Sequence, residues 1–117
     1  MKNQVFHRRL QYAINGIRLA IETESSFRIQ ISFAVIAAGL LVVLRPTPVW
    51  WGLIILCSAA VLAAELFNTA LEALVDQLHP EQNPKIAKVK DCAAGAVLVL
   101  SVAALGVGAA LIYEILK

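Results

Sequence analysis

The sequence predicts an all-α integral membrane protein, in which an N-terminal amphipathic surface helix precedes three transmembrane helices. The chain has 117 residues, of which 60% are hydrophobic, and its mean hydropathy is +0.77. A soluble domain of this length is far less apolar. Three apolar runs are long enough to be membrane spans, and most of the charges lie before the first run or between the second and third. We therefore treat residues 1–117 as a single membrane domain.

The first predicted element is a surface helix over about residues 5–24. Apolar side chains recur at helical spacing from Phe6 to Ile21, and polar side chains fall on the opposite side. A basic polar face with low overall hydrophobicity favours a helix that lies in the membrane surface. A soluble helix packed on a globular partner is the alternative. No small-residue cleavage site follows a short apolar core, so we expect the N-terminus to be retained.

The first span covers about residues 28–44 and ends at the "RPTP" segment, residues 45–48. Proline cannot continue a helix, so this segment predicts a tight turn. Thr47 and Pro48 have the pattern of an N-cap residue followed by proline at the first helical position. The next helix should therefore begin directly after the turn.

The second span covers about residues 49–78 and is too long for the hydrocarbon core. Its helical pattern corresponds to roughly 45 Å, whereas the core is about 30 Å thick. Trp50 and Trp51 have the character of interfacial anchors at its start. We therefore expect the other end, which carries Glu72 and Asp76, to protrude from the membrane.

The third span covers about residues 92–116 and follows a polar segment, residues 79–91, that we predict to be a loop. The span is rich in alanine and glycine, which allow membrane helices to approach one another closely. It should therefore be a packing helix.

Cys57 and Cys92 have neither metal-ligand spacing nor the density of a disulfide scaffold, and we expect both to be buried small residues.

Lysine and arginine predict the orientation of the chain. Eight of the ten precede the first span or lie between the second and third spans. They are Lys2, Arg8, Arg9, Arg18, Arg28, Lys85, Lys88 and Lys90. Because positive residues are enriched on the cytoplasmic side, the N-terminus and residues 79–91 should be cytoplasmic. Arg45 and Lys117 then lie outside.

The segment "AELFNTALEALVD", residues 64–76, places polar groups in or against an apolar run. At 100° per residue, Glu65, Glu72 and Asp76 fall within about 40° of one another, and Asn68 lies about 60° from Glu65. An ionised residue at the centre of a span costs about 2.5 to 3.5 kcal/mol on insertion scales, and less near the interface. These carboxylates therefore need partners, unless they are simply solvated helix ends.

Further charged residues are predicted at the same cytoplasmic end. Glu22 and Glu24 follow the surface helix, and Lys90 and Asp91 precede the third span. Carboxylate oxygens suit Mg²⁺, and lysine suits phosphate, so this end fits a divalent cation and a phosphate together. No glycine-rich phosphate loop occurs in the sequence. Side chains would have to hold any nucleotide.

Four segments together resemble the bacterial integral-membrane diacylglycerol kinase family, which includes the undecaprenol kinases. They are "YAINGIR" (12–18), "ETESSFR" (22–28), "AELFNTALEALVD" (64–76) and "AKVKDCAAGAV" (87–97). The resemblance implies a homotrimer in the bacterial cytoplasmic membrane, each subunit with a surface helix and three spans. It also implies transfer of the γ-phosphate of MgATP to a lipid hydroxyl at the cytoplasmic interface. The expected partners are ATP, Mg²⁺, a lipid alcohol and the bilayer, with no nucleic acid.

The resemblance also implies roles for individual residues. Glu65 matches the general base toward the lipid hydroxyl, and Asn68 orients the carboxylates. Glu24 and Glu72 match the residues that hold the metal ion on ATP. The implied nucleotide-binding residues are Tyr12, Glu24, Glu72, Glu81, Asn83, Lys90 and Asp91. The implied lipid-binding residues are Ser26, Phe27, Arg28, Ile29, Gln30 and Glu65.

The sequence differs from the familiar diacylglycerol kinases at several positions, and these differences bear on the lipid substrate. Asn83 replaces a histidine, Gln30 an acidic residue and Ile14 a tryptophan. "KDCAAGAV" and "NTALEA" resemble the undecaprenol kinase branch, so we expect undecaprenol, giving undecaprenyl phosphate, rather than diacylglycerol, giving phosphatidic acid. A small proton-coupled transporter is the alternative function, but it accounts for Glu65 alone. A purely structural subunit would leave Glu65 without a purpose.

Overall fold

The computed structural model of the protein describes residues 5–117, and this part of the chain contains four helices. They are α1, Phe6–Thr23; α2, Ser25–Leu44; α3, Pro48–Leu78; and α4, Pro84–Leu116. Helices α2, α3 and α4 are long and apolar enough to cross a membrane. The prediction of an all-helical protein with three possible spans is confirmed. Lys2, which contributed to the predicted orientation, lies outside the described residues.

The breaks between the first three helices follow from local backbone chemistry. Glu24 is extended, with φ −114° and ψ 109°, and separates α1 from α2. Arg45 is left-handed, with φ 49° and ψ 54°, and its N–H bonds to the carbonyl of Leu41 at 3.0 Å. Thr47 occupies the N-cap position of α3 with Pro48 directly after it, although the threonine side chain makes no capping hydrogen bond. The predicted tight turn is therefore present.

The start of α4 corrects the predicted loop at residues 79–91. The helix begins at Pro84, so the connection contains only residues 79–83. Asn83 caps it, because its Oδ1 accepts hydrogen bonds from the backbone N–H groups of Lys85 at 2.9 Å and Ile86 at 3.0 Å. Proline at the first helical position suits this start. Lys85, Lys88, Lys90 and Asp91 were predicted to lie in the loop, but they lie in the first two turns of α4.

Helix α3 is the centre of the bundle. It packs most extensively on α4 and then on α2, while α1 makes smaller contacts with α2 and α3. A buried cluster of Leu41, Ile54 and Leu111 joins the three long helices near the turn between α2 and α3. Trp50 and Trp51 pack against this cluster. The two tryptophans therefore contribute to helix packing as well as lying near the predicted interface.

Much of the apolar surface of the single chain is exposed. The exposed fraction is 78% for Phe67 and 77% for Val43, for example. Such a surface is unfavourable in water and requires lipid or another protein surface around it.

Cys57 is partly buried, but Cys92 is exposed, so the prediction that both are buried is wrong for Cys92. Within residues 5–117, no other helix covers Cys92 near the start of α4.

Candidate active site

The central feature of the site is a buried carboxylate on α3. Glu65 is only 4% exposed, and it is the one charged side chain classed as buried in the described part of the chain. The Ser26 hydroxyl, in the first turn of α2, donates a hydrogen bond to Glu65 Oε2 at 3.1 Å. Val61, one turn earlier on α3, is also buried. The packed face of α3 therefore carries this carboxylate, with a hydroxyl group as its partner.

A second polar pair lies further along the same face of α3. Asn68 Nδ2 donates to Glu72 Oε1 at 3.2 Å. Within residues 5–117, the buried Oδ1 of Asn68 has no hydrogen-bond partner. Most buried polar atoms in proteins have one, so an additional ligand is expected here. An amide oxygen beside a carboxylate is a pair of hard donors that suits Mg²⁺.

These donors fit a metal that shares its coordination with a substrate. Among the described residues, no group of three or more His, Cys, Asp and Glu side chains could hold a metal ion by itself. Mg²⁺ commonly takes only one or two protein carboxylates and completes its shell with water and substrate phosphates. The chemistry of Asn68 and Glu72 therefore suits a metal ion that arrives with a nucleotide.

A third pair joins the ends of α3 and α4. Lys90 Nζ contacts Asp76 Oδ1 at 2.6 Å. Asp76 lies one turn beyond Glu72, so the polar face of α3 ends at a lysine of the neighbouring helix. The family resemblance implied a nucleotide role for Lys90 but none for Asp76. Its helical phase, shared with Glu65 and Glu72, was the signal that could have identified it.

Three predicted site residues have partners that the sequence did not suggest. The Asn83 side chain caps α4, as described above. The Arg28 guanidinium donates to the backbone carbonyls of Ile21 at 2.8 Å and Glu22 at 3.3 Å, and so satisfies free acceptors at the end of α1. Gln30 Nε2 donates to Ser101 Oγ on α4 at 3.3 Å. Ser101 was missed because one serine in a long apolar run gives little signal.

The remaining predicted residues are more peripheral in the single chain. Glu24 is half-buried between α1 and α2, whereas Tyr12 on α1, Glu81 in the loop and Asp91 on α4 are exposed. Phe27 is buried and Ile29 exposed. Across residues 5–117, no side-chain hydrogen bond or ion pair joins Tyr12, Glu24, Glu81 or Asp91 to the carboxylates of α3. The structure thus brings together part of the predicted site.

Two cavities lie near these polar pairs. The first has a volume of about 520 Å³ and lies between α2, α3 and α4, where its lining is mainly apolar but includes Gln30 and Ser101. It begins one turn from both Ser26 and Glu65, since Gln30 and Val61 line it. The second, about 480 Å³, is lined by residues 82–84, 86 and 87 together with Lys90 and Asp91. The site therefore has an apolar side and a polar side.

Comparison with known proteins identifies the family. The model of the prokaryotic diacylglycerol kinase family matches residues 11–112. The chain belongs to this family. The matched range contains every predicted site residue, and the resemblance inferred from the four sequence segments is confirmed. Together with its three possible spans, this membership makes the chain a multi-pass membrane protein.

Curated relatives carry two different names. A protein of Synechocystis sp. named diacylglycerol kinase is 41% identical over 105 residues, which are 87% of this chain and 59% of that protein. A protein of Bacillus subtilis named undecaprenol kinase is 34% identical over 99 residues, which are 83% of this chain and 79% of that protein. The chain thus spans about three fifths of the Synechocystis relative. Both names describe kinases of lipid alcohols.

Proposed function

We propose that this chain is a membrane lipid kinase that transfers the γ-phosphate of MgATP to the hydroxyl of a lipid alcohol. Family membership supports a lipid kinase. The observation that carries the reaction is the buried Glu65, which accepts a hydrogen bond from the Ser26 hydroxyl one helical turn from the apolar cavity. A buried carboxylate without a structural ion pair is expensive, and such groups in spans commonly have a function.

Glu65 is the proposed general base. The Ser26 hydroxyl lies at 3.1 Å from its Oε2, which supports the idea that a lipid hydroxyl can approach within the reach of a general base. Glu65 takes the hydroxyl proton as the lipid oxygen attacks the γ-phosphorus. The bond between the γ-phosphorus and the bridging oxygen breaks, and ADP leaves with that electron pair. The products are ADP and a lipid phosphate.

Glu72 and Asn68 form the proposed metal side of the site, with Glu24 as a further ligand implied by the resemblance. Bound there with ATP, Mg²⁺ would neutralise charge on the phosphates. Lys90 would add a positive charge against the phosphates. We assign Tyr12, Glu81, Asn83 and Asp91 to the nucleotide.

The apolar cavity between α2, α3 and α4 is the proposed site for the lipid chain, with residues 26–30 at its entrance. Gln30 lines this cavity, and Ser26, one helical turn earlier on α2, contacts Glu65. We propose undecaprenol as the preferred substrate, on the basis of the "KDCAAGAV" and "NTALEA" segments, with diacylglycerol as the alternative. The cytoplasmic orientation of this end of the chain and its homotrimeric assembly are part of the same proposal.

A proton-coupled transporter is less well supported. It would use Glu65 as a carboxylate that is protonated and released, but it requires neither Asn68 with Glu72 nor Lys90 with Asp76. A structural subunit would require none of these pairs. Neither function agrees with membership of a kinase family.

Lipid-dependent formation of ADP by the purified protein tests the proposal. In mixed micelles with MgATP, addition of undecaprenol or diacylglycerol should start ADP release, and Glu65→Gln should nearly abolish it. Glu114→Gln, at the far end of α4, is the matched control and should retain activity. ADP release that is independent of any lipid alcohol, or equal in the Glu65→Gln protein, would reject the proposed reaction.

A further inference from the structure

The ion pair between Lys90 and Asp76 connects two helices across a short loop. Asp76 lies in the last turn of α3 and Lys90 in the second turn of α4, and the two helices are joined by residues 79–83. The Nζ to Oδ1 distance is 2.6 Å, and the side chains are 37% and 61% exposed, respectively. The other ion pair in the described part of the chain, Lys117 with Glu114, is local within α4.

Stability alone is a weak explanation for this pair. Exposed ion pairs contribute little to folding, because solvent screens them and two long side chains lose freedom. The chain also has stronger means of fixing the α3–α4 junction, since Asn83 caps α4 and the two helices pack extensively. The presence of the pair is therefore better explained by its position within the site than by its contribution to stability.

Asp76 brings a cation of α4 onto the polar face of α3. Glu72 and Asp76 are one turn apart, about 6 Å along the helix axis, and within about 40° around it. The Lys90 ammonium therefore lies beside the end of the face that carries Glu72 and Asn68. It also borders the polar cavity that includes Asp91. A lysine side chain has four methylene groups and samples many positions without a partner.

We propose that Asp76 is a positioning residue that holds the Lys90 ammonium where the phosphates of ATP bind. This inference rests on the proposed function, in which Lys90 contacts the nucleotide. Asp76 itself touches neither substrate. It limits the conformations of Lys90 before ATP binds, so that less side-chain entropy is lost on binding. The expected effect is on ATP affinity rather than on the chemical step.

The sign of the effect distinguishes positioning from simple electrostatics. Removing a negative charge near the phosphates would by itself strengthen ATP binding. Loss of the positioning contact should weaken it. Exposed ion pairs are worth about 1.4- to 5-fold in an equilibrium constant, so Asp76→Asn should raise the KM for MgATP by about that factor with kcat nearly unchanged. Asp76→Glu keeps the charge and should restore most of the affinity.

A double-mutant cycle with Lys90→Gln tests the proposal. The KM for MgATP, and the Kd of a non-hydrolysable ATP analogue where turnover is too slow, are measured for the wild type, Asp76→Asn, Lys90→Gln and the double variant. Asp76→Asn should weaken ATP binding in the wild-type background and should no longer weaken it once Lys90 is absent. Glu114→Gln breaks an ion pair away from the site and should leave KM unchanged.

Three outcomes would overturn the positioning role. Tighter ATP binding by Asp76→Asn would make Asp76 a competitor of the phosphates. An equal loss in the Lys90→Gln background would mean that Asp76 acts on the nucleotide or metal directly. No change would leave the pair without a role in ATP binding. Each presupposes a wild type that phosphorylates lipid, so failure of the proposed function itself is recognised separately, in the wild-type assay.

Discussion

Separate substitutions of Glu65 and Glu72 should divide catalysis from nucleotide binding. The two residues are seven positions apart, which places them about 10.5 Å apart along the axis of α3 but nearly in line. Glu65 is buried against the Ser26 hydroxyl, whereas Glu72 is half-buried and paired with Asn68. Glu65 lies one helical turn from Val61, which lines the apolar cavity, and Glu72 lies two turns further along α3, so one residue cannot readily serve both functions.

Glu65→Gln should remove the proton acceptor with little change to the structure around it. The amide oxygen can still accept the Ser26 hydrogen bond, and a neutral amide is less costly to bury than a carboxylate. The melting temperature should therefore be unchanged or higher. The kcat should fall by about 10² to 10⁴, the usual contribution of a general base, while MgATP affinity stays nearly intact. Higher metal concentration should not restore the rate.

Glu72→Gln should have the opposite profile. It removes a charge from the proposed metal ligands, so MgATP binding should weaken and should recover in part when Mg²⁺ or Mn²⁺ is raised. The assay combines the dissociation constant of a non-hydrolysable ATP analogue with the single-turnover rate at saturating nucleotide. A Glu65→Gln protein that loses MgATP binding, with Glu72→Gln binding it normally, would mean that the two roles are reversed.

Three further predictions concern orientation, substrate and helix capping. With Cys57 and Cys92 replaced, a cysteine at Gln82 should resist an impermeant thiol reagent added outside intact cells, whereas one at Thr47 should react; labelling at Gln82 would reverse the assigned orientation. In competition at equal surface concentration, undecaprenol should have a higher kcat/KM than diacylglycerol, and a clear preference for diacylglycerol would reverse the substrate assignment while leaving the reaction intact. Asn83→Ala should reduce stability by about 1 kcal/mol through loss of the α4 cap, while Asn83→Asp should keep it. Equal thermal unfolding of the two Asn83 variants in detergent would contradict the capping role.

The elements of the fold were predictable because membrane spans have a strong compositional signal. Apolar runs of the required length correspond to α2, α3 and α4, and proline at residue 48 marks the start of α3. The helical period also placed Glu65, Glu72 and Asp76 on one face. In the structure their side chains contact those of Ser26, Asn68 and Lys90, respectively. The residues that share one face of a helix can be predicted without knowing where the other helices lie.

The start of α4 was mispredicted although its signal was present. Asn83 and Pro84 have the same N-cap and proline pattern as Thr47 and Pro48, but the two prolines and several charges of residues 79–91 suggested a polar loop. Lysine and alanine have high helix propensity, and that of isoleucine is intermediate. Charge alone therefore does not separate a loop from a helix that extends beyond the membrane.

Contacts between helices could not be derived from the sequence. The bond between Ser26 and Glu65 depends on how α2 packs against α3, and the bond between Gln30 and Ser101 depends on how α2 approaches α4. The bonded residues are separated by 39 and 71 positions in the sequence, respectively. Helical periodicity cannot predict contacts over such separations. Arrangements of this kind follow from packing of the whole bundle.

Transfer of labelled phosphate tests the central claim most directly. The purified protein is incubated with undecaprenol or diacylglycerol in mixed micelles and with MgATP labelled either at the γ- or at the α-phosphate. Label from the γ-position should appear in a lipid phosphate in equal amount to the ADP formed, and label from the α-position should not. Release of the γ-label only as inorganic phosphate, with none in either lipid, would contradict a lipid kinase.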